Sequence, residues 1–190
     1  MLAWRAYNIF KDLPNGNLRL QLLNRANLFQ FLSLLPLDMA RAVHPRNPWI
    51  SNNRLTRFYL WTLRRKIPLL RRILGGFLGS EIDCELPERI FLPHPYGIIV
   101  GGFAELGNDV TLMQQVTLGG KDPWCQKTDL KDEFPKLREG VYVGAGAKIL
   151  GSVTIGAWAV IGANAVVTKD VPAAATVVGH NHIIPVGDSG

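Results

Sequence analysis

The C-terminal half of the chain carries an aliphatic residue at almost every sixth position. A period of six matches neither the 3.6-residue repeat of an α-helix nor the two-residue repeat of a β-strand. Small or β-branched residues recur four places after these positions, which we call slots. The slots are His94, Val100, Leu106, Leu112 and Leu118, followed after an interruption by Leu137, Val143, Ile149, Ile155, Ile161 and Val167.

Such a period predicts a short strand and a turn, repeated along the chain, as in a parallel β-helix. Each coil would bury its aliphatic slot against the next coil. Glycine often follows the slot, as at Gly101 and Gly144, and we expect it to supply the backbone angles of a sharp bend. His94 is the polar exception among the slots, so we expect the chemistry there.

Charge and cysteine content narrow the range of partners and compartments. Residues 1–78 hold 13 of the 21 Lys and Arg residues but 2 of the 15 Asp and Glu residues. Cys84 and Cys125 lie far apart without metal-ligand or redox spacing, which favours a reduced, cytoplasmic protein. No apolar run reaches the roughly 18 residues that span a bilayer. No recognised binding motif accompanies the basic residues, so we expect no nucleic-acid partner.

Residues 1–78 are predicted to form a basic, helical region ahead of a solenoid at 79–190. Its clearest helical pattern runs from about 53 to 77 and closes at Gly75-Gly76. Seven basic residues and no acid lie within 54–72. Two interpretations stay open for them: a helix packed on the solenoid end with a solvated basic face, or peripheral contact with an anionic membrane at its inner face.

The interruption of the repeat predicts a loop that projects from the solenoid. Leu118 and Leu137 are 19 residues apart where six are expected, so thirteen residues are extra. A polar loop on a rigid scaffold is a usual place for binding residues. We therefore expect the segment 119–136 to contribute to a functional site.

Five segments together resemble the serine acetyltransferase group of hexapeptide-repeat acyltransferases. The resemblance implies a left-handed parallel β-helix with three hexads per coil, assembly as a homotrimer, and acetyl-CoA as co-substrate without a metal. It also implies a site between neighbouring subunits, covered by the projecting loop. The segments are LPHPYGIIVGG (92–102), VTLGGK (116–121), FPKLREGVYVGAGAKILG (134–151), VTIGAWAVIGANAVVTKDVP (153–172) and TVVGH (176–180).

The resemblance also assigns candidate catalytic residues. His94 matches the histidine that removes the proton from the acceptor hydroxyl, a task suited to a neutral imidazole. A carboxylate that orients this imidazole is expected just before the first coil. Glu81 is the best match, and Asp83 is the alternative.

Candidate cofactor-binding residues follow from the same motifs. Backbone N–H groups near Gly119 and Gly120 are expected to bind the tetrahedral oxyanion. Ala145 and Ala163 match positions where small side chains let the pantetheine arm lie close. Lys169 is expected to meet a phosphate of coenzyme A as a point charge.

The substrate assignment rests on departures from the family pattern. Where serine acetyltransferases have Arg-His-Pro-Lys, this chain has residues 133–136, Glu-Phe-Pro-Lys. Pro93 replaces the acid that usually precedes the first histidine. Because Glu133 would repel a substrate carboxylate, we expect a sugar hydroxyl of a surface polysaccharide or its precursor as acceptor. The alternatives are serine, as in cysteine biosynthesis, and a non-catalytic β-helix scaffold.

Overall fold

The computed structural model describes residues 43–121 and 133–184. Two compact units are distinguished, Met1–Ala40 and Arg41–Gly190. The predictions for residues 1–42 and for 122–132 at the centre of the loop lie outside the described residues. The helices at 54–78 belong to the second unit, together with the solenoid, although they were expected to belong with residues 1–53.

The described chain begins with a β-hairpin, which the expectation of a helical region over residues 1–78 did not include. Strands β1 (Val43–His44) and β2 (Asn47–Ser51) pair antiparallel. Pro45 and Pro48 lack the backbone N–H that a helix interior requires, which explains why residues 43–51 cannot continue a helix.

Two helices follow, and their ends have local causes. Helix α1 (Arg54–Arg64) begins where the Asn53 side chain accepts a hydrogen bond of 2.8 Å from the Thr56 backbone N–H. Helix α2 (Pro68–Leu78) has proline in its first turn and ends at Gly79 in the left-handed conformation, with φ 61°. The helix therefore continues through Gly75-Gly76, and the expectation that these glycines end it is wrong. Neither described helix is long and apolar enough to cross a membrane.

The rest of the described chain winds through three parallel sheets. Sheet I contains β3 (Glu81–Ile82), β5 (Ile99–Val100), β8 (Thr117–Gly119), β11 (Lys148–Leu150) and β14 (Val166–Val167). Sheet II contains β4 (Ile90–Phe91), β7 (Val110–Leu112), β10 (Tyr142–Val143), β13 (Val160–Ile161) and β15 (Thr176–Val178), to which β16 (His182–Ile184) adds antiparallel. Sheet III contains β6 (Glu105–Leu106), β9 (Lys136–Leu137) and β12 (Thr154–Ile155).

This winding is the predicted left-handed parallel β-helix. Successive strands of one sheet pair in register one coil apart, as Ile149 pairs with both Leu118 and Val167. The slots from Leu112 to Val167 are buried, and so are the residues four places on, from Val116 to Val171. Each strand is only two or three residues long, so stability comes from stacking coils around this aliphatic column.

The glycines that follow the slots have a different cause from the one expected. Residues with positive φ stand directly before the small inward residues instead, as Gln115 does with φ 60°. Gly144 is required because a Cβ there would lie 2.7 Å from the backbone nitrogen of Ala163 in the next coil. Close approach between coils, not an unusual dihedral angle, therefore explains the glycine at position 144.

The residues before the solenoid cover its first coil. Leu60, Leu63 and Leu78 share one hydrophobic core with the coils. The Asn52 side chain donates to the Ile90 carbonyl at 2.7 Å and accepts from the Leu92 N–H at 2.7 Å. These bonds occupy the free edge of β4, which would otherwise be open to pairing with another strand.

Candidate active site

His94 does not occupy an inward slot. Strand β4 pairs with β7 through Ile90–Val110 and Phe91–Thr111, which sets Leu92 beside Leu112. Leu92 is fully buried whereas His94 is exposed. The expectation that His94 belongs to the slot column is therefore wrong by two residues, and the histidine lies in the turn that follows.

That turn is longer than its counterparts and is held rigidly. Ile98, the next inward residue after Leu92, comes six positions later in the sequence. In the following coil, Val116 comes only four positions after Leu112. The Tyr96 N–H donates to the His94 carbonyl at 2.8 Å, and the Pro95 carbonyl accepts from the Ser80 hydroxyl at 2.8 Å. The additional residues project the imidazole from the corner between sheets II and I.

A cavity of about 280 Å³ opens beside the imidazole. It is lined by His94, Tyr96, Gly97, Gln114 and Gln115. The Gln114 side-chain oxygen is buried and has no hydrogen-bond partner within the described part of the chain. A buried amide oxygen without a donor is costly, so the wall of the cavity contains one unsatisfied polar group.

Turns of successive coils stack on the His94 turn and form one surface, the His94 edge. It consists of residues 93–97, 113–115, 144–146 and 162–164. Ala145 and Ala163 both belong to it, so the structure brings these two predicted cofactor positions to the same edge as His94. Each turn donates one backbone N–H to the previous turn: Gln115 to Tyr96, Gly146 to Gln114, and Asn164 to Ala145, at 2.8–2.9 Å.

The other predicted cofactor residues lie at the opposite side of sheet I. Gly119 ends β8, and Gly120 and Lys169 occupy equivalent positions two coils apart, because Leu118 and Val167 are both in register with Ile149. We call this corner between sheets I and III the Gly120 edge. A strand of three residues separates it from the His94 edge by about 10 Å. Gly119, Gly120 and Lys169 therefore do not meet His94 within one chain.

Neither candidate carboxylate contacts the imidazole. Glu81 is exposed on β3, where it pairs with Ile99, and no hydrogen bond or ion pair of the described residues joins it to His94. Asp83 forms an ion pair with Arg71. Asp83 is thus already engaged, and the orienting role of Glu81 stays a prediction.

The departures at residues 133 and 134 lie at the Gly120 edge, whereas Pro93 belongs to the His94 edge. Glu133 is buried. Phe134 packs against Phe103 with ring centroids 5.6 Å apart, and it covers Gly101 so closely that a Cβ there would lie 2.2 Å from the ring. Lys136 pairs with Glu105 at 3.3 Å. An aromatic pair with a buried acid beside it therefore replaces the expected arginine and second histidine.

The sequence pattern did not point to Tyr96, Gln114 or Gln115 as cavity residues. The signal was present, since Gln114 and Ala145 both stand two residues after a slot. Tyr96 does not stand at this spacing, because the turn that contains it is longer. Between residues 43 and 184, excluding 122–132, no three His, Cys, Asp or Glu side chains are arranged to hold a metal ion.

Comparisons with known proteins identify the family. The model described as Bacterial transferase hexapeptide (six repeats) matches residues 134–169. A serine acetyltransferase of Helicobacter pylori is 35% identical over 147 residues, covering 77% of this chain and 75% of that protein. The chain belongs to the serine acetyltransferase family.

Other serine acetyltransferases are also similar to this chain, although the match covers less of their length. The serine acetyltransferase of Haemophilus influenzae is 40% identical over 134 residues, which are 68% of this chain and 48% of that protein. A solved serine acetyltransferase in complex with CoA superposes with a TM-score of 0.55 at 36% identity, covering 69% of this chain and 56% of that chain. The chain spans about half the length of several of the curated relatives that it matches.

Proposed function

We propose that the protein transfers the acetyl group of acetyl-CoA to a hydroxyl group, with His94 as the general base. The observation that carries the proposal is the exposed imidazole at the mouth of a cavity lined by neutral polar groups. An imidazole can accept a proton near neutral pH, and a positioned base accelerates such a reaction by roughly 10²–10⁴. Membership of an acetyltransferase family supports the same reaction.

In this proposal the hydroxyl oxygen attacks the thioester carbonyl while its proton passes to His94. Collapse of the tetrahedral intermediate releases coenzyme A as the thiol, which takes up the proton that the imidazole holds. The pantetheine arm would lie along the His94 edge, where Ala145 and Ala163 leave room for it. The oxyanion requires N–H donors close to the same point.

The separation of the two edges supports a homotrimer with sites between subunits. Gly119 and Gly120 lie about 10 Å from the His94 edge of their own chain, too far to stabilise an oxyanion formed there. A neighbouring copy that placed its Gly120 edge against this His94 edge would supply those donors and Lys169 together. The site would then be complete only in the assembly.

Serine is the acceptor that the comparisons support better, in place of the carbohydrate expected from the sequence. The relatives are named serine acetyltransferases. A cation also lies at the His94 edge. The Lys148 ammonium donates to the carbonyls of Gln115 at 2.7 Å and Gly146 at 3.0 Å, which leaves one of its three N–H donors for a carboxylate.

A carbohydrate hydroxyl is the second candidate, because of the residues at the Gly120 edge. The Phe103–Phe134 pair offers an apolar face to a sugar ring, and Glu133 stands where a carboxylate-binding arginine was expected. The projecting segment 119–136 would contribute to acceptor choice in either case. The cytoplasmic location stays a prediction.

The test is CoA release by the purified full-length chain with L-serine, simple sugars or oligosaccharides as acceptors. We expect turnover with serine, and His94→Ala should reduce it by about 10²–10⁴ while CoA binding, measured by calorimetry, persists. Arg138→Ala, at an exposed residue without an ion pair in the described chain, is the matched control. Turnover with sugars alone would replace serine by the second candidate. Full activity of His94→Ala would refute the mechanism, and absence of both turnover and CoA binding would favour a scaffold.

A further inference from the structure

Helix α2 presents an apolar stripe that the described chain does not cover. Leu69, Ile73 and Phe77 follow one another at four-residue spacing and therefore lie on one face. Their side chains are 71%, 57% and 74% exposed. Large apolar groups at such exposure are unusual when contiguous, and a contiguous patch indicates an interaction surface.

The orientation of the stripe is set by the opposite face of the same helix. Leu78 is buried in the common hydrophobic core, and Leu74 packs against that core. The Leu78 carbonyl also accepts a backbone hydrogen bond of 3.0 Å from the Gly97 N–H of the first coil. The helix cannot rotate to bury the stripe without exposing these contacts.

Basic residues flank the N-terminal part of the stripe, without acidic neighbours in the sequence. Arg65 and Lys66 lie just before α2, and Arg72 lies three residues after Leu69 on the helix. All three are exposed, and none forms an ion pair within the described ranges. Two other basic residues of the segment 54–72 are engaged, since Arg64 donates to the carbonyls of Pro87 and Glu88, and Arg71 pairs with Asp83.

We propose that α2 docks the protein on an anionic phospholipid surface. Leu69, Ile73 and Phe77 would enter the boundary between headgroups and acyl chains, while Arg65, Lys66 and Arg72 contact lipid phosphates. This refines the expectation for residues 54–72, because it assigns membrane contact to α2 and the preceding turn. The proposal is independent of the acceptor and of the acetyl-transfer reaction.

Charge favours a membrane over a two-fold pair of copies and over residues 1–42. A second copy pairing through the same face would bring the two basic clusters together, because a two-fold interface places equal patches opposite each other. Residues 1–42 hold 5 Lys and Arg against 2 Asp, so that segment would also add positive charge to a positive surface. A surface of negative phosphates over an apolar layer complements both properties of the stripe.

The test is co-sedimentation of the full-length chain with phosphatidylcholine vesicles and with vesicles of equal parts phosphatidylcholine and phosphatidylglycerol. We expect binding to the anionic vesicles, and this binding should weaken as salt rises. Phe77→Glu should lower the partition coefficient by about tenfold or more, and Arg72→Ala by about fivefold. Arg138→Ala provides the charge control and Val160→Glu the apolar control, both on the solenoid, and both should bind as the parent chain does.

Circular dichroism and light scattering would accompany each variant, so that loss of folding or a change of assembly is recognised. Absence of binding to anionic vesicles at low salt would overturn the proposal. Equal binding by the Phe77→Glu and parent chains would also overturn it. If Phe77→Glu changed the oligomeric state but not vesicle binding, the stripe would be a contact between copies, and the proposal would be wrong.

Discussion

The coil contact at Gly144 gives a quantitative test of how the solenoid is held together. In Gly144→Ala, the added Cβ would lie 2.7 Å from the Ala163 nitrogen, 2.9 Å from the Gly162 carbonyl carbon and 2.9 Å from the Ile161 oxygen. All three are backbone atoms of the next coil, so no side chain can move aside. The same Ile161 oxygen accepts the 2.8 Å hydrogen bond from the Gly144 N–H.

Relief of these contacts requires the coils to separate locally. Overpacking of this kind costs about 1–3 kcal/mol, and stretching a backbone hydrogen bond adds about 1 kcal/mol. The loss of glycine freedom in the unfolded chain offsets about 0.4–1 kcal/mol. We therefore expect Gly144→Ala to reduce the free energy of unfolding by about 2 kcal/mol.

Gly76→Ala is the matched control for the same chemical change. Gly76 lies inside α2, and a Cβ there would meet no atom within 4 Å. Alanine should stabilise that helix by about 1 kcal/mol. Urea denaturation followed by circular dichroism, at one protein concentration because assembly contributes to stability, would compare the variants. Equal stability of Gly144→Ala and Gly76→Ala would refute the close-approach explanation.

Three further outcomes follow from single groups. Gln114→Met should raise the free energy of unfolding by about 1 kcal/mol, because it removes a buried amide oxygen without a partner; an unchanged or lower urea midpoint would contradict this. Hydrogen bonds from Arg89 hold the pKa of Asp109 below its ordinary 3.8, so this stabilisation is present above about pH 4 and lost on further acidification; urea midpoints from pH 6 to 3 should fall more steeply for the parent chain than for Asp109→Asn. Burial raises the pKa of the Cys84 thiol to about 11, so iodoacetamide at neutral pH should label Cys84 only after denaturation, as peptide mass spectrometry can check.

Much of the fold was predictable because the slots are a local property of the chain. The side chains at Leu112 and Ile149 are buried in any coil that repeats every six residues, and the structure confirms them. Helices near 54–64 and 68–78 were also predictable from Pro68 and the apolar pattern. The hairpin at 43–51 was not, because its pairing depends on contacts that no periodicity reports.

The candidate site was predictable only in part. His94, Ala145 and Ala163 share one edge, as expected for one site, whereas Gly119, Gly120 and Lys169 lie across sheet I from them. Residues that belong to neighbouring sequence motifs can still lie on different edges of the solenoid. Their separation makes a second subunit necessary to the proposed mechanism, and it gives a physical reason for the site between subunits that the resemblance implies.

The six-residue period and the inward aliphatic column can be read from the sequence alone, because they depend on alternation between buried and exposed positions along one chain. The register of the first coil comes only from the fold, since hydrogen bonds between β4 and β7 place Leu92, not His94, in the column. The fold also decides why glycine follows the slots and which face of α2 remains exposed. Both depend on which distant segment packs against the residue in question: the next coil for the glycines, and the first coil for α2.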